Sequence, residues 1–160
     1  LIHCFQTVPL KLNADHLQAM QSHAQRVYPE ECCGLLLGFT EPEGNRLVEV
    51  RAVKNAWDEQ IASEMEASPS ITKARRYWIS PEEMLVAMRD ARDRGMDIIG
   101  VYHSHPDHPA LPSECDRQLA WPQYSYVILS IRQGEVRELY SWQLDNHHQF
   151  QPEKLVVLDP

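Results

Sequence analysis

Two histidines separated by one residue open the chemistry of this chain. They lie in His103-Ser104-His105-Pro106, and Ser113-Glu114-Cys115-Asp116 follows shortly after. Side chains two residues apart on a strand leave the same face, so at a strand end both imidazoles can turn on one ion. Neutral imidazole nitrogens and a carboxylate oxygen suit zinc at about 2.0–2.2 Å, and three protein ligands plus one water is the catalytic pattern rather than the closed structural one. Asp116 can be the third ligand if the loop over 107–112 folds back. Pro106, Pro109 and Pro112 stiffen that loop and lower the entropy lost on ordering it. Ser113-x-x-Asp116 also reads as a capping box. The two readings agree, because a helix N-terminus keeps an aspartate ionised.

A catalytic ion needs a base nearby. Glu30 and Glu31 stand ahead of the apolar run Cys32-Cys33-Gly34-Leu35-Leu36-Leu37-Gly38. A carboxylate at the start of a buried strand costs free energy unless something uses its charge, and the water of a metal site is such a use. The other polar candidates have blander readings. His108 reads as a solvent-facing loop histidine, since a catalytic site keeps one position open. Cys115 reads as a packing residue, although a helix start would lower a thiol pKa. His147-His148 reads as a polar turn. His3, His16 and His23 have no partner that the sequence names, and Glu64, Glu66 and Asp90 to Asp93 read as solvated surface. Trp57, Tyr77, Trp78 and Trp121 are candidates for lining a groove, against the ordinary role of core and rim aromatics.

Several elements must position these groups. Asn13 to Tyr28 carries Leu17, Met20, Ala24 and Val27 at helical steps, stopped by Pro29. Gly34 to Phe39 is a buried strand, and a turn at 41–45 joins it as a hairpin to Arg46 to Val53. Asn55 to Ser70 is an irregular excursion with room for a helical turn, and Tyr77 to Ile79 reads as a short strand. Ser80-Pro81-Glu82-Glu83 starts a helix by serine cap, proline at the first turn and capping box. Met84, Leu85, Met88 and Ala91 are its expected buried stripe, and Gly95 ends it. Asp97 to His103 is a strand and Ser113 to Ala120 a short helix. Tyr126 to Ile131 and Val136 to Trp142 form a second hairpin across Gln133-Gly134. Leu155 to Leu158 is an edge strand or a packed tail. The order gives an α/β fold, a mixed sheet with flanking helices in a single domain over 1–160, with 145–160 as tail or edge strand.

Composition bounds the function. With 160 residues and 43% apolar content, the chain can bury one core without staples. Fifteen basic against 23 acidic residues give a net charge of -8, which argues against nucleic acid as a partner. No apolar run approaches the roughly 20 residues of a membrane span. Leu1 to Phe5 shows no signal peptide, and the absent initiator methionine suggests a processed or truncated start. Cys4, Cys32, Cys33 and Cys115 show no C-x-x-C spacing and read as small buried residues in a reducing, cytoplasmic setting.

Taken together, the glutamate before a Gly-Leu-Leu-Leu-Gly strand, His-x-His-Pro and Ser-x-x-Asp resemble the JAMM (MPN-plus) zinc metallopeptidases, from the first helix to the second hairpin. Arg76-Tyr77-Trp78-Ile79-Ser80-Pro81 is similar to compact prokaryotic members. The resemblance implies a cytidine-deaminase-like MPN fold and a Zn2+ ion held by His103, His105 and Asp116. It implies Glu31 as general acid/base and Ser113 as the oxyanion-stabilising residue. Glu31 lies two residues after Pro29 and three before Gly34; Glu30 takes the role if that register shifts. The implied activity is hydrolysis of a peptide or isopeptide bond at the C-terminal tail of a ubiquitin-like or sulfur-carrier protein. Two other classes were weighed. A zinc deaminase uses related metal chemistry, but no Pro-Cys-x-x-Cys follows here. A non-hydrolytic MPN-type binding scaffold has no need of an intact ligand set.

Overall fold

The structure is a computed structural model and describes residues 8–160. His3, Cys4 and the start of the chain lie outside the described residues. The elements in chain order are β1 (Leu10–Leu12), α1 (Ala14–Val27), β2 (Cys33–Glu41), β3 (Gly44–Val53), α2 (Glu59–Glu64), α3 (Pro81–Asp93), β4 (Asp97–Pro106), α4 (Glu114–Leu119), β5 (Ser125–Arg132), β6 (Glu135–Leu144), β7 (Phe150–Glu153) and β8 (Leu155–Val157).

The strands form one mixed sheet in the order β7-β6-β5-β4-β2-β3-β1-β8. β4 runs parallel to β5, and β1 runs parallel to both β3 and β8; the other pairings are antiparallel. β7 and β8 occupy opposite ends of this order, yet only Lys154 separates them in the chain. Laid flat, eight strands at about 4.8 Å spacing would put the edges about 34 Å apart. Two Cα steps cover only about 7.6 Å. The sheet therefore curls until its edges meet, and Leu10 N–H donates to Lys154 O at 2.9 Å at the seam.

Two cores fill the two faces. On the inner face α1 lies against β3, β4, β5 and β6, and Met20 and Ala24 meet Leu36, Ile99, Val127 and Leu129. Asn13 caps α1 in a capping box with His16. On the other face Ala87 and Ala91 of α3 meet Leu35, Leu37, Ile98 and Val101. The buried stripe of α3 differs from the expected one. Met84, Ala87 and Ala91 face the sheet, while Leu85 and Met88 are exposed. Large residues already stand on β2 and β4, so the helix approaches through its small side chains. Arg51 pairs with Asp90 and Glu49, and Arg94 bridges the same two carboxylates at 3.1 and 2.7 Å. Asp90 is thus part of a charge network fastening α3 to β3, rather than simply solvated.

Tyr77 to Ile79 is not a strand. Trp78 O accepts from Ala56 N–H at 2.8 Å and Trp78 N–H donates to the Asn55 side chain at 3.2 Å, so the segment binds a loop instead of a ladder. The excursion after Asn55 holds the short α2. His16 and His23 do have partners: His16 Nε2 lies 2.9 Å from Val48 O, and His23 Nδ1 lies 2.7 Å from the Tyr102 hydroxyl. Tyr102 needs Gly34 beside it, where a Cβ would fall 2.1 Å from its ring. No helix among the described residues is long and apolar enough to cross a membrane.

Candidate active site

The geometry begins in the ladder between β2 and β4. Cys33 pairs with His103. One step outward, Ser104 N–H donates to Cys32 O at 3.1 Å, and Cys32 N–H donates to Ser104 Oγ at 2.8 Å. Strand alternation then turns Glu31, His103 and His105 to the α3 face and sends Tyr102 and Ser104 to the α1 face. α4 supplies the last group. Ser113 caps it, with Asp116 N–H donating to Ser113 Oγ at 3.0 Å and Ser113 N–H donating to Asp116 Oδ2 at 2.7 Å. The cap thus orients the aspartate as well as starting the helix.

These residues converge. His103 Nε2 and His105 Nε2 are 3.0 Å apart. Asp116 stands 3.4 Å from His103 Nε2 through Oδ1 and 3.6 Å from His105 Nε2 through Oδ2. Glu31 Oε1 lies 3.9 Å from His105 Nε2. Ligand atoms of Glu31, His103 and His105 all fall within 4.8 Å of one another, a possible metal site.

Proton counting tests whether the donor set fits a cation. His105 Nδ1 lies 2.7 Å from Pro109 O. A carbonyl only accepts, so Nδ1 carries a proton, and in the neutral ring Nε2 presents a lone pair. Two carboxylates add further lone pairs, and Glu31 Oε2 is buried with no hydrogen-bond partner. A proton on His103 Nε2 cannot satisfy the His105 lone pair and Asp116 together, whereas a dication would match both imidazoles and the Asp116 carboxylate. Tetrahedral ligands at 2.0–2.1 Å lie about 3.3–3.4 Å apart, close to the spacing of the two imidazoles and Asp116. Glu31 is one step farther out.

The environment tunes each group. Burial pushes the Glu31 carboxyl up to about 8, against the charge of His105 and with that of Asp116. Burial holds His103 below the usual histidine range. Burial also opposes charge on His105, but Asp116, the Pro109 carbonyl and Glu31 outweigh it and raise its pKa. Asp116 resists its burial through both imidazoles and the Ser113 N–H, and stays well below the ordinary carboxylate range.

The group opens into a cleft of about 680 Å³. Tyr77, Trp78 and Trp121 line it with Leu111, Leu119 and Ser113; Cys115 and His108 are also on its wall. Trp57 does not line it. That indole is buried and donates to Ile71 O at 3.1 Å.

The model for prokaryotic homologues of the JAB domain matches residues 13–145. The chain belongs to the prokaryotic JAB family. It is 33% identical over 126 residues to a desampylase of Haloferax volcanii, spanning 76% of this chain and 80% of that protein. It is 34% identical over 137 residues to a CysO-cysteine peptidase of Mycobacterium tuberculosis, spanning 84% and 82%. A Desulfitobacterium hafniense protein solved in solution superposes with a TM-score of 0.75 at 25% identity, over 94% of each chain. The mixed sheet with flanking helices is thus that of the JAB fold.

Sequence reasoning passed over one residue of this JAB site. Asn55 is buried and makes four hydrogen bonds. Its amide donates to Glu31 O and Arg76 O, both at 3.0 Å, and its carbonyl accepts from Trp57 N–H at 3.0 Å and Trp78 N–H at 3.2 Å. This uses the full capacity of an asparagine side chain and ties the segment that carries Glu31 to the cleft wall. A polar residue between a strand and an irregular loop gave no periodic signal.

Proposed function

We propose that the chain is a zinc peptidase that cleaves a peptide or isopeptide bond at the C-terminal tail of a ubiquitin-like or sulfur-carrier protein. The observation that carries this is the 3.0–3.6 Å spacing of the His103, His105 and Asp116 ligand atoms, with Glu31 beside them. Nitrogen and oxygen donors in that number suit zinc with one position left for reactants. The family and the names of its desampylase and CysO-cysteine peptidase relatives support the substrate class. Cys32, Cys33 and Cys115 are free thiols, which suits a cytoplasmic setting.

His103, His105 and Asp116 would hold the ion. When bound, zinc would polarise the scissile carbonyl and acidify a water toward a pKa of about 7. Glu31 takes the water's proton at a carboxylate oxygen and returns it to the leaving amine. Burial raises the Glu31 pKa, which strengthens its hold on a proton once taken up, while a bound dication would favour its ionised, proton-accepting form. Ser113 Oγ accepts in the cap, which leaves its hydroxyl proton to donate toward the oxygen that becomes negative. The aromatic walls of the cleft would line the path of an extended tail.

Intact-mass spectrometry tests the reading. The zinc-loaded protein is incubated with ubiquitin-like proteins carrying C-terminal extensions or lysine-linked conjugates, with and without chelator. Expected are products ending at the tail, lost with chelator and regained with Zn2+. Cleavage indifferent to chelator would overturn the metal role, and silence across the set would overturn the substrate class.

A further inference from the structure

The two imidazoles of the site are held differently. His105 is fixed at its edge by the Nδ1–H to Pro109 O hydrogen bond of 2.7 Å. This is the usual way an outer partner sets the tautomer and ring plane of a metal-binding histidine. His103 has no such partner: its Nδ1 is buried without a hydrogen bond among the described residues. What touches the His103 ring is a face. Tyr77 stacks on it with centroids 4.5 Å apart and planes at 27°. His103 is only 1% exposed.

Tyr77 is itself held from both sides. Its neighbours Arg76 and Trp78 are bonded to Asn55 through Arg76 O and Trp78 N–H, and Asn55 also grips Glu31 O. The ring therefore has a fixed address relative to the sheet, although it lies on an irregular segment.

We propose that Tyr77 is a positioning residue for the metal site: its aromatic face, fastened by Asn55, sets the orientation of the His103 ring that a hydrogen bond sets for His105. The inference rests on the metal reading above and adds to it a residue that touches neither ion nor substrate through a polar atom. The face does the work, so the hydroxyl is dispensable and the ring is not. Without the stack, the His103 ring loses the contact across its face and keeps only those at Nε2, to His105 and Asp116, so the plane that aims Nε2 is less sharply set.

The test compares Tyr77→Phe with Tyr77→Leu, which keeps apolar volume but removes the aromatic face. Zn2+ affinity is read by competition with a chromophoric chelator, and the visible spectrum of the Co2+-substituted protein reports ligand geometry. Tyr77→Phe is expected within twofold of the parent affinity with an unchanged Co2+ spectrum. Tyr77→Leu is expected to bind Zn2+ about 10–100-fold more weakly, the loss seen for other outer-sphere partners, with altered Co2+ bands. If the leucine variant does not fold, Tyr77→Met serves the same comparison. A folded variant without the ring that keeps parent affinity and spectrum would overturn the proposal while leaving the metal reading intact. A parent protein that takes up no Zn2+ would overturn both.

Discussion

Glu31 faces His105 across the β2–β4 ladder, two residues beyond the Cys33–His103 pair, at 3.9 Å between Oε1 and Nε2. The two histidines are therefore placed by strand register, and Glu31 by its position two residues ahead of the first β2–β4 pair. A one-residue slip would turn every one of these side chains to the opposite face.

Glu31→Gln preserves shape and removes the proton acceptor. Turnover should fall by about 10²–10⁴-fold while bound zinc, measured by atomic absorption, stays near the parent level. Full turnover in the variant would remove Glu31 from the proton path.

Ser113→Ala should show two separable losses. Missing the cap lowers unfolding free energy by about 0.5–2 kcal/mol, read by urea denaturation. Missing the hydroxyl donor lowers kcat by about 10²–10³-fold. Ser113→Thr keeps both oxygen functions and should restore both.

Asn55→Ala leaves two carbonyls and two N–H groups without their partner. With unmet buried groups costing about 1–3 kcal/mol each before relaxation, the net loss of stability should be about 2–4 kcal/mol. Urea midpoints at constant m measure it.

Glu153 gives a pH test away from the cleft. It is buried, and the hydroxyls of Ser141 and Ser125 donate to it at 2.7 and 3.1 Å. Burial, partly offset by those bonds, raises its pKa from 4.5 to about 7. The folded state thus binds more protons than the unfolded state between those values, so stability is lost as pH rises through that window. At about 1.4 kcal/mol per unit over about 2.5 units, the contribution is about 3–3.5 kcal/mol. Glu153→Gln has no such titration, so its stability relative to the parent should rise between pH 4.5 and pH 8. An unchanged difference across that range would refute the raised pKa.

The candidate site of this chain was legible because its residues follow local, periodic spacing. His103 and His105 obey the two-residue period of a strand, and Ser113 and Asp116 obey the spacing of a cap, so motif and geometry coincide. The first helix and both hairpins were legible for the same reason. What sequence did not give depends on contacts between distant segments. The stripe of α3 is set by the large residues already standing on β2 and β4, so Ala87 turns inward and Leu85 outward. The stack of Tyr77 on His103 and the clamp of Asn55 join segments more than twenty residues apart with no period to betray them. β1 and β7 are three and four residues long, too short for alternation to register, and exist because neighbouring strands complete them, whereas the edge strand β8 falls within the expected 155–158.

The one-residue step at Lys154 has a consequence beyond shape. An open sheet offers each rim as a template on which another molecule's backbone can zip. Here the last strand on one rim turns directly into the last strand on the other, so the two rims lie side by side and are tethered to each other. Peeling either edge strand away would therefore pull on the other rim as well.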